Sequence, residues 1–124
     1  MTASDPQEMF SAYLQAFESL DPLAIVQYYD TPAMVVMPAA VVLIPDAATG
    51  QRLIAGSIQQ LRAQGYLRTE VAGLEVRQLA PTLALCSGVF IRHGDNGELG
   101  RAGFTYTLRR TEAWKIVVAM THDA

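Results

Sequence analysis

The first apolar pattern along the chain has a helical period. Met9, Phe10, Tyr13, Leu14, Phe17 and Leu20 recur at spacings of one, three and four, which gathers them on one broad face that needs a core to cover it. Asp5 marks the start as a cap, with Pro6 at the first helical position and Glu8 completing a capping box. "LDPLAIVQYYD" repeats the device, so Asp21 caps a second, short helix from about Pro22 to Tyr29.

The next stretch, "TPAMVVMPAAVVLIP", carries no charge between Asp30 and Asp46. Its Val and Ile content with proline punctuation predicts two short strands, Ala33 to Met37 and Val41 to Ile44, with Pro38 at the bend or an edge. "DAATGQRLIAGSIQQLRAQGYL" is a third helix, opened by Thr49 or Gly50 and closed by Gly65. Leu53, Ile54, Ile58 and Leu61 share one of its faces, and the other is polar. From Thr69 the pattern becomes strands: "TEVAGLEVRQL", "TLALCSGVFIRH", "ELGRAGFTYTLRR" and "AWKIVVAMTH", separated by "AP", "GDNG" and "TEA". "GDNG" is a type I′ turn signal.

Helices first and a long meander second cannot form a doubly wound parallel sheet, in which crossover helices alternate with strands. The expected class is α+β: three N-terminal helices packed on the concave face of a curved, mainly antiparallel sheet of about six strands. A curled sheet with helices over its concave side leaves a conical cavity, where a small ligand would sit. "IVVAM" and "FTYTL" have few polar positions on either face, so the outer face is expected to be buried too, in a sheet-to-sheet homodimer.

Composition narrows what such a fold serves. The 124 residues, 51% of them hydrophobic, suit one domain over 1-124 with a core of its own. No apolar run reaches the roughly 20 residues of a membrane span without a proline, and the acidic, polar start lacks the pattern of an export signal. A cytoplasmic location and no membrane partner are therefore expected. The single Cys86, inside "LALCSG", excludes an internal disulfide framework and reads as a small core residue. A net charge of −3 with dispersed basic residues lacks the footprint of a nucleic-acid binder. Neither histidine stands in a metal-ligand spacing, and nothing resembles a phosphate-cradling glycine loop, so no metal, nucleotide or other cofactor is expected.

With this order of elements, the chain resembles the nuclear transport factor two-like superfamily, which has a cystatin-like cone fold and includes SnoaL-like polyketide cyclases and ketosteroid isomerases. The carriers are "AYLQAFESLDPLAIVQYY", "GQRLIAGSIQQL" and the ending "FTYTLRRTEAWKIVV". The resemblance implies the cone for the whole chain but no single activity, because the superfamily hosts isomerases, dehydratases, hydrolases and cyclases. It puts the isomerase tyrosine on Tyr13, the isomerase aspartate on Met37 and the second isomerase acid near Thr105. The base is absent, which argues against ketosteroid isomerisation and makes Met37 a pocket-wall or core side chain.

The remaining candidates are weighed on the same terms. His122 and Asp123, near the mouth of the cone, are the best remaining acid-base pair to act with Tyr13, against an ordinary frayed end. Glu75 and Arg77 alternate on one strand face that solvent more simply explains, and His93 beside the turn reads as an exposed hairpin residue. Tyr13, Phe17, Tyr28 or Tyr29, Met37, Ile58 and Phe90 either line the cavity or fill it. The resemblance turns Thr105, Thr107 and Thr121 inward, whereas apolarity alone turns Phe104, Tyr106 and Met120 inward; Thr105 and Thr121 are taken as pocket residues. The leading reading is a protein that binds a small, largely apolar ligand. The alternatives are an enzyme (cyclase, isomerase or dehydratase) using Tyr13 with His122 or Asp123, and an interaction module with a filled cone.

Overall fold

A computed structural model describes residues 5-123; the polar start before Asp5 and the last residue of the 1-124 domain lie outside the described residues. Helix α1, Pro6–Glu18, begins where the Asp5 carboxylate accepts the Glu8 N–H at 2.7 Å. Helix α2, Pro22–Val26, begins the same way, with Asp21 accepting the Leu23 N–H at 3.0 Å. It ends three residues short of the expected Tyr29. The Tyr28 carbonyl is taken at 2.8 Å by the N–H of Ile116, so the chain leaves the helix to join a sheet.

Strand β1, Tyr29–Met37, therefore starts earlier than the expected Ala33, and turns at Pro38 into β2, Ala40–Ile44. Helix α3, Ala47–Ala63, starts before the expected Thr49 or Gly50, because the Asp46 carboxylate caps it by accepting the Thr49 N–H at 2.7 Å. Gly65, with φ +76, ends it in the left-handed conformation that favours glycine. The meander follows: β3, Tyr66–Ala80; β4, Leu83–Gly94; β5, Gly97–Arg110; β6, Trp114–His122. At "GDNG" the positive φ falls on Gly97 and not on Asp95 or Asn96, so the hairpin is not the type I′ turn expected from the dipeptide.

The strand order is β2-β1-β6-β5-β4-β3, with β1 and β6 parallel and every other pair antiparallel. The fold is thus α+β, with three helices on a curved six-stranded sheet. Register shifts interrupt β3 near Gly73, β4 near Arg92 and the β5-β6 pair near Thr107, and such bulges bend and twist the strands that carry them. No described helix is long and apolar enough to cross a membrane.

The concave face holds the core. Phe90 and Phe104 stack at 4.0 Å between ring centroids, and Phe10 of α1 stacks on Phe104 at 5.3 Å and meets Tyr106 edge-on at 5.8 Å. Gly88 makes room for this stack: a Cβ there would lie 3.1 Å from the Phe104 ring. Cys86 is fully buried beneath it, and burial pushes its thiol up to about 12, so it stays a neutral core side chain.

Phe10 is the one helical ring in the middle of this cluster, and it is 0% exposed. Phe10→Ala is expected to cost about 3–5 kcal/mol in urea unfolding. A loss below about 1 kcal/mol would mean that the cluster is not the main core.

Candidate functional site

Helices α1 and α3 cover the sheet incompletely. Between α3, the β1-β2 hairpin and the concave face of β5 and β6 lies a cavity of about 360 Å³, within the range of small-molecule sites. Its floor is made of Tyr13 from α1, Tyr29 from β1 and Tyr106 from β5. Val35, Val42, Ile44 and Ile54 form the walls, and Met37, Leu53, Ser57, Gln60 and Gln64 stand at the mouth. Arg92 is the one charged side chain among the described residues that line it.

The floor is a cluster of neutral phenols. The Tyr13 and Tyr29 hydroxyls are 3.2 Å apart, and the rings of Tyr13 and Tyr106 meet edge-on at 6.1 Å. Burial is the first cause that raises all three phenols above their ordinary range, and for Tyr13 and Tyr106 the proximity of other phenols raises them further. An acid held above its ordinary range stays protonated at physiological pH. These tyrosines can therefore donate hydrogen bonds to a ligand oxygen but cannot act as bases. No carboxylate or imidazole lines the cavity among the described residues.

The expected pocket residues divide. Tyr13, Phe17, Met37 and Thr121 line the cavity. Tyr28 does not; it lies behind Tyr13, ring to ring at 6.1 Å, while its neighbour Tyr29 faces inward. Ile58 is core, 3% exposed, and Phe90 faces a narrow crevice with Phe17 and Arg92. Thr105 points the other way. The β5-β6 register sets Phe104 opposite Thr121 and Thr105 opposite Met120, and residues directly opposite share a face. With Phe104 and Tyr106 buried inward, Thr121 goes inward with them, and Thr105, Thr107 and Met120 go outward. Neither parity of the sequence reading applies to both strands, because the register joins an aromatic parity on β5 to a threonine on β6.

The candidate acid-base residues are not brought to Tyr13. His122 follows the inward Thr121, so it lies on the outer face, over Gly103, where any Cβ would run into its ring. Its Nδ1 donates to the Asp123 carbonyl at 2.9 Å, and its Nε2 is 3.5 Å from the Thr105 hydroxyl. Asp123 is exposed beyond the end of β6. The sheet thus separates His122 from Tyr13. Glu75 and Arg77 are exposed and sit opposite Ser87 and Leu85. His93 is drawn to Glu70 across β3 and β4, with Nε2 3.0 Å from the carboxylate, and is less open than a hairpin tip. No three His, Cys, Asp or Glu side chains gather as a metal ion would need among the described residues.

Arg92 was missed in the sequence because a charged strand residue reads as solvent-facing. Its parity gives it away: Ala84, Cys86 and Phe90 face the core, and Arg92 is two positions on. The guanidinium carbon lies 5.6 Å from the Phe17 ring centre and 5.9 Å from that of Phe90, a cation-π arrangement. Its Nε is sealed from solvent with no hydrogen-bond partner among the described residues. An unmatched buried donor costs about 1–3 kcal/mol, so this one is held there by the fold around it.

A family model described as "NTF2-like protein (DUF6841)" matches residues 4-124. No curated protein matches the chain. Among solved structures, the chain is similar to a cystatin-like domain of unknown function from Nostoc punctiforme, with TM-score 0.78 and 13% identity over 100% of this chain and 80% of that one. It is also similar to an NTF2-like protein with a cystatin-like fold from Novosphingobium aromaticivorans, with TM-score 0.75 and 18% identity over 93% and 77%. A third is an NTF2-like protein of unknown function from Shewanella oneidensis, with TM-score 0.75 and 14% identity over 94% and 95%. At these identities the likeness is one of fold.

Met37 at the mouth is 38% exposed, whereas Ile116 in the core is 0% exposed. Met37→Asp is expected to lower stability by about 1 kcal/mol or less, and Ile116→Asp by several times as much, since only the second buries an unpaired charge. Equal losses in urea unfolding would place Met37 in closed core.

Proposed function

The chain belongs to the DUF6841 family of NTF2-like proteins, and from that premise we propose that it is a binding protein for a small, largely apolar molecule held in the conical cavity. The observation that carries this reading is the lining itself. Aliphatic walls close on a floor of protonated phenols, and no group among the described lining residues can take a proton from a substrate at neutral pH. An apolar ligand gains from leaving water, and the phenols and the mouth glutamines offer the few polar contacts that fix its orientation.

Small aryl-alkyl compounds, neutral and anionic, are the probes for this reading. NMR shift changes on adding them are expected at Tyr13, Ile54 and Ala119, and Ala119→Trp, which fills the cavity, is expected to weaken every binder about tenfold. Binding that survives the tryptophan unchanged, or shifts confined to other surfaces, would contradict it.

The same proposal includes a homodimer through the outer sheet face, in a cytoplasmic protein. Val36, Thr105, Thr107, Val118 and Met120 form its uncharged centre, and Arg109, Lys115, Glu75 and Arg77 stand around it. A two-fold interface brings one patch against its own copy, so an apolar centre with rim charges of both signs suits it. Sedimentation at micromolar concentration is expected to give a dimer, and Met120→Lys a monomer. A wild-type monomer at that concentration would remove this part of the proposal.

A further inference from the structure

Arg92 is the feature that a purely apolar ligand leaves unexplained. Among the described residues it is the one charged side chain lining the cavity, and its Nε lies sealed from solvent with no acceptor. The ion pairs among the described residues, Arg101 with Glu98, Arg109 with Asp30 and His93 with Glu70, do not involve it. Glu18, which shares the surroundings of Tyr66 with it, gives an oxygen to the Thr69 N–H instead. Arg92 lines the cavity itself, so a ligand group held there can reach it, and it also borders a crevice beside Tyr13 and Phe17 and a groove beside Gln64.

We propose that the ligand is an amphipathic monocarboxylate, whose apolar body lies against Ile54, Val35 and the tyrosine floor while Arg92 takes the carboxylate. This rests on the cavity-binding reading and names the class of molecule that the cavity selects. A guanidinium presents parallel N–H donors that match the two oxygens of a carboxylate. The described lining supplies one positive charge and no negative one. A monoanion is therefore neutralised on entry, whereas a phosphate dianion would leave a charge uncompensated among apolar walls. Phe17 and Phe90, packed about the guanidinium, hold it in place before the ligand arrives. Neutral hydroxyls on Tyr13 and Tyr106 add donors on the same floor without repelling an anion.

Calorimetry with phenylbutyrate and its neutral counterpart phenylbutanol tests this on the whole chain. Wild type is expected to bind the carboxylate at least about tenfold more tightly than the alcohol. Arg92→Met is expected to abolish that difference while the alcohol still binds, and Arg92→Lys to keep only part of it, because the charge stays and the fork is lost. If Arg92→Met does not fold, as judged by thermal unfolding, Arg92→Gln supplies the same comparison. Equal affinities for the two probes in wild type, or a preference that survives Arg92→Met or Arg92→Gln, would overturn the carboxylate assignment and leave the cavity reading standing. Failure of both probes to bind wild type would overturn both.

Discussion

Everything in this fold depends on how a curved sheet is covered. The concave face of six bent strands is wider than two long helices can fill, and its apolar residues must still be taken out of water. Phe10 settles half of the problem by stacking into Phe90, Phe104 and Tyr106, which closes the cone on the β4-β5 side. No comparable ring descends from α3 on the other side. There Leu53, Ile54 and Leu61 look across open space toward β1, β2 and β6, and the cavity is what remains.

That division also sets the chemistry. The boundary between the filled and open halves is drawn by Tyr13, Tyr29 and Tyr106, whose rings belong to the packed side and whose hydroxyls must find partners within it. Those of Tyr13 and Tyr29 find one another, 3.2 Å apart. Burial then keeps all three protonated, so the floor serves orientation and not proton transfer. Met37 stands half open at the rim and adds no charge there. Arg92, set between two phenylalanine rings, is the only strong electrostatic feature that the described lining offers.

Much of this was legible in the sequence where the determinants are local. Asp5-Pro6 and Asp21-Pro22 announce their helices because a cap and a proline act on the adjacent turn. The α3 start was misplaced because Asp46 lacks a following proline and Thr49 competes for the same role. Tyr28 and Tyr29 left the helix expected of them for a reason no local pattern carries: the parallel pairing of β1 with β6, far along the chain. The site was legible in part. Tyr13, Phe17 and Met37 follow from helix face and family likeness, but Thr105 was turned the wrong way because both faces of β5 and β6 are uncharged there and alternation cannot choose between them. Arg92 needed the strand parity to be followed past Phe90 against the expectation that charges face water.

The central claim is that one half of the cone is packed and the other open. A crystal structure of the protein under xenon pressure tests it most directly, because xenon enters apolar cavities without needing any particular ligand chemistry. The account predicts xenon between Tyr13, Ile54 and Ala119, and none beside Phe10 and Phe104. Side chains filling the first position, or xenon at the second, would contradict it.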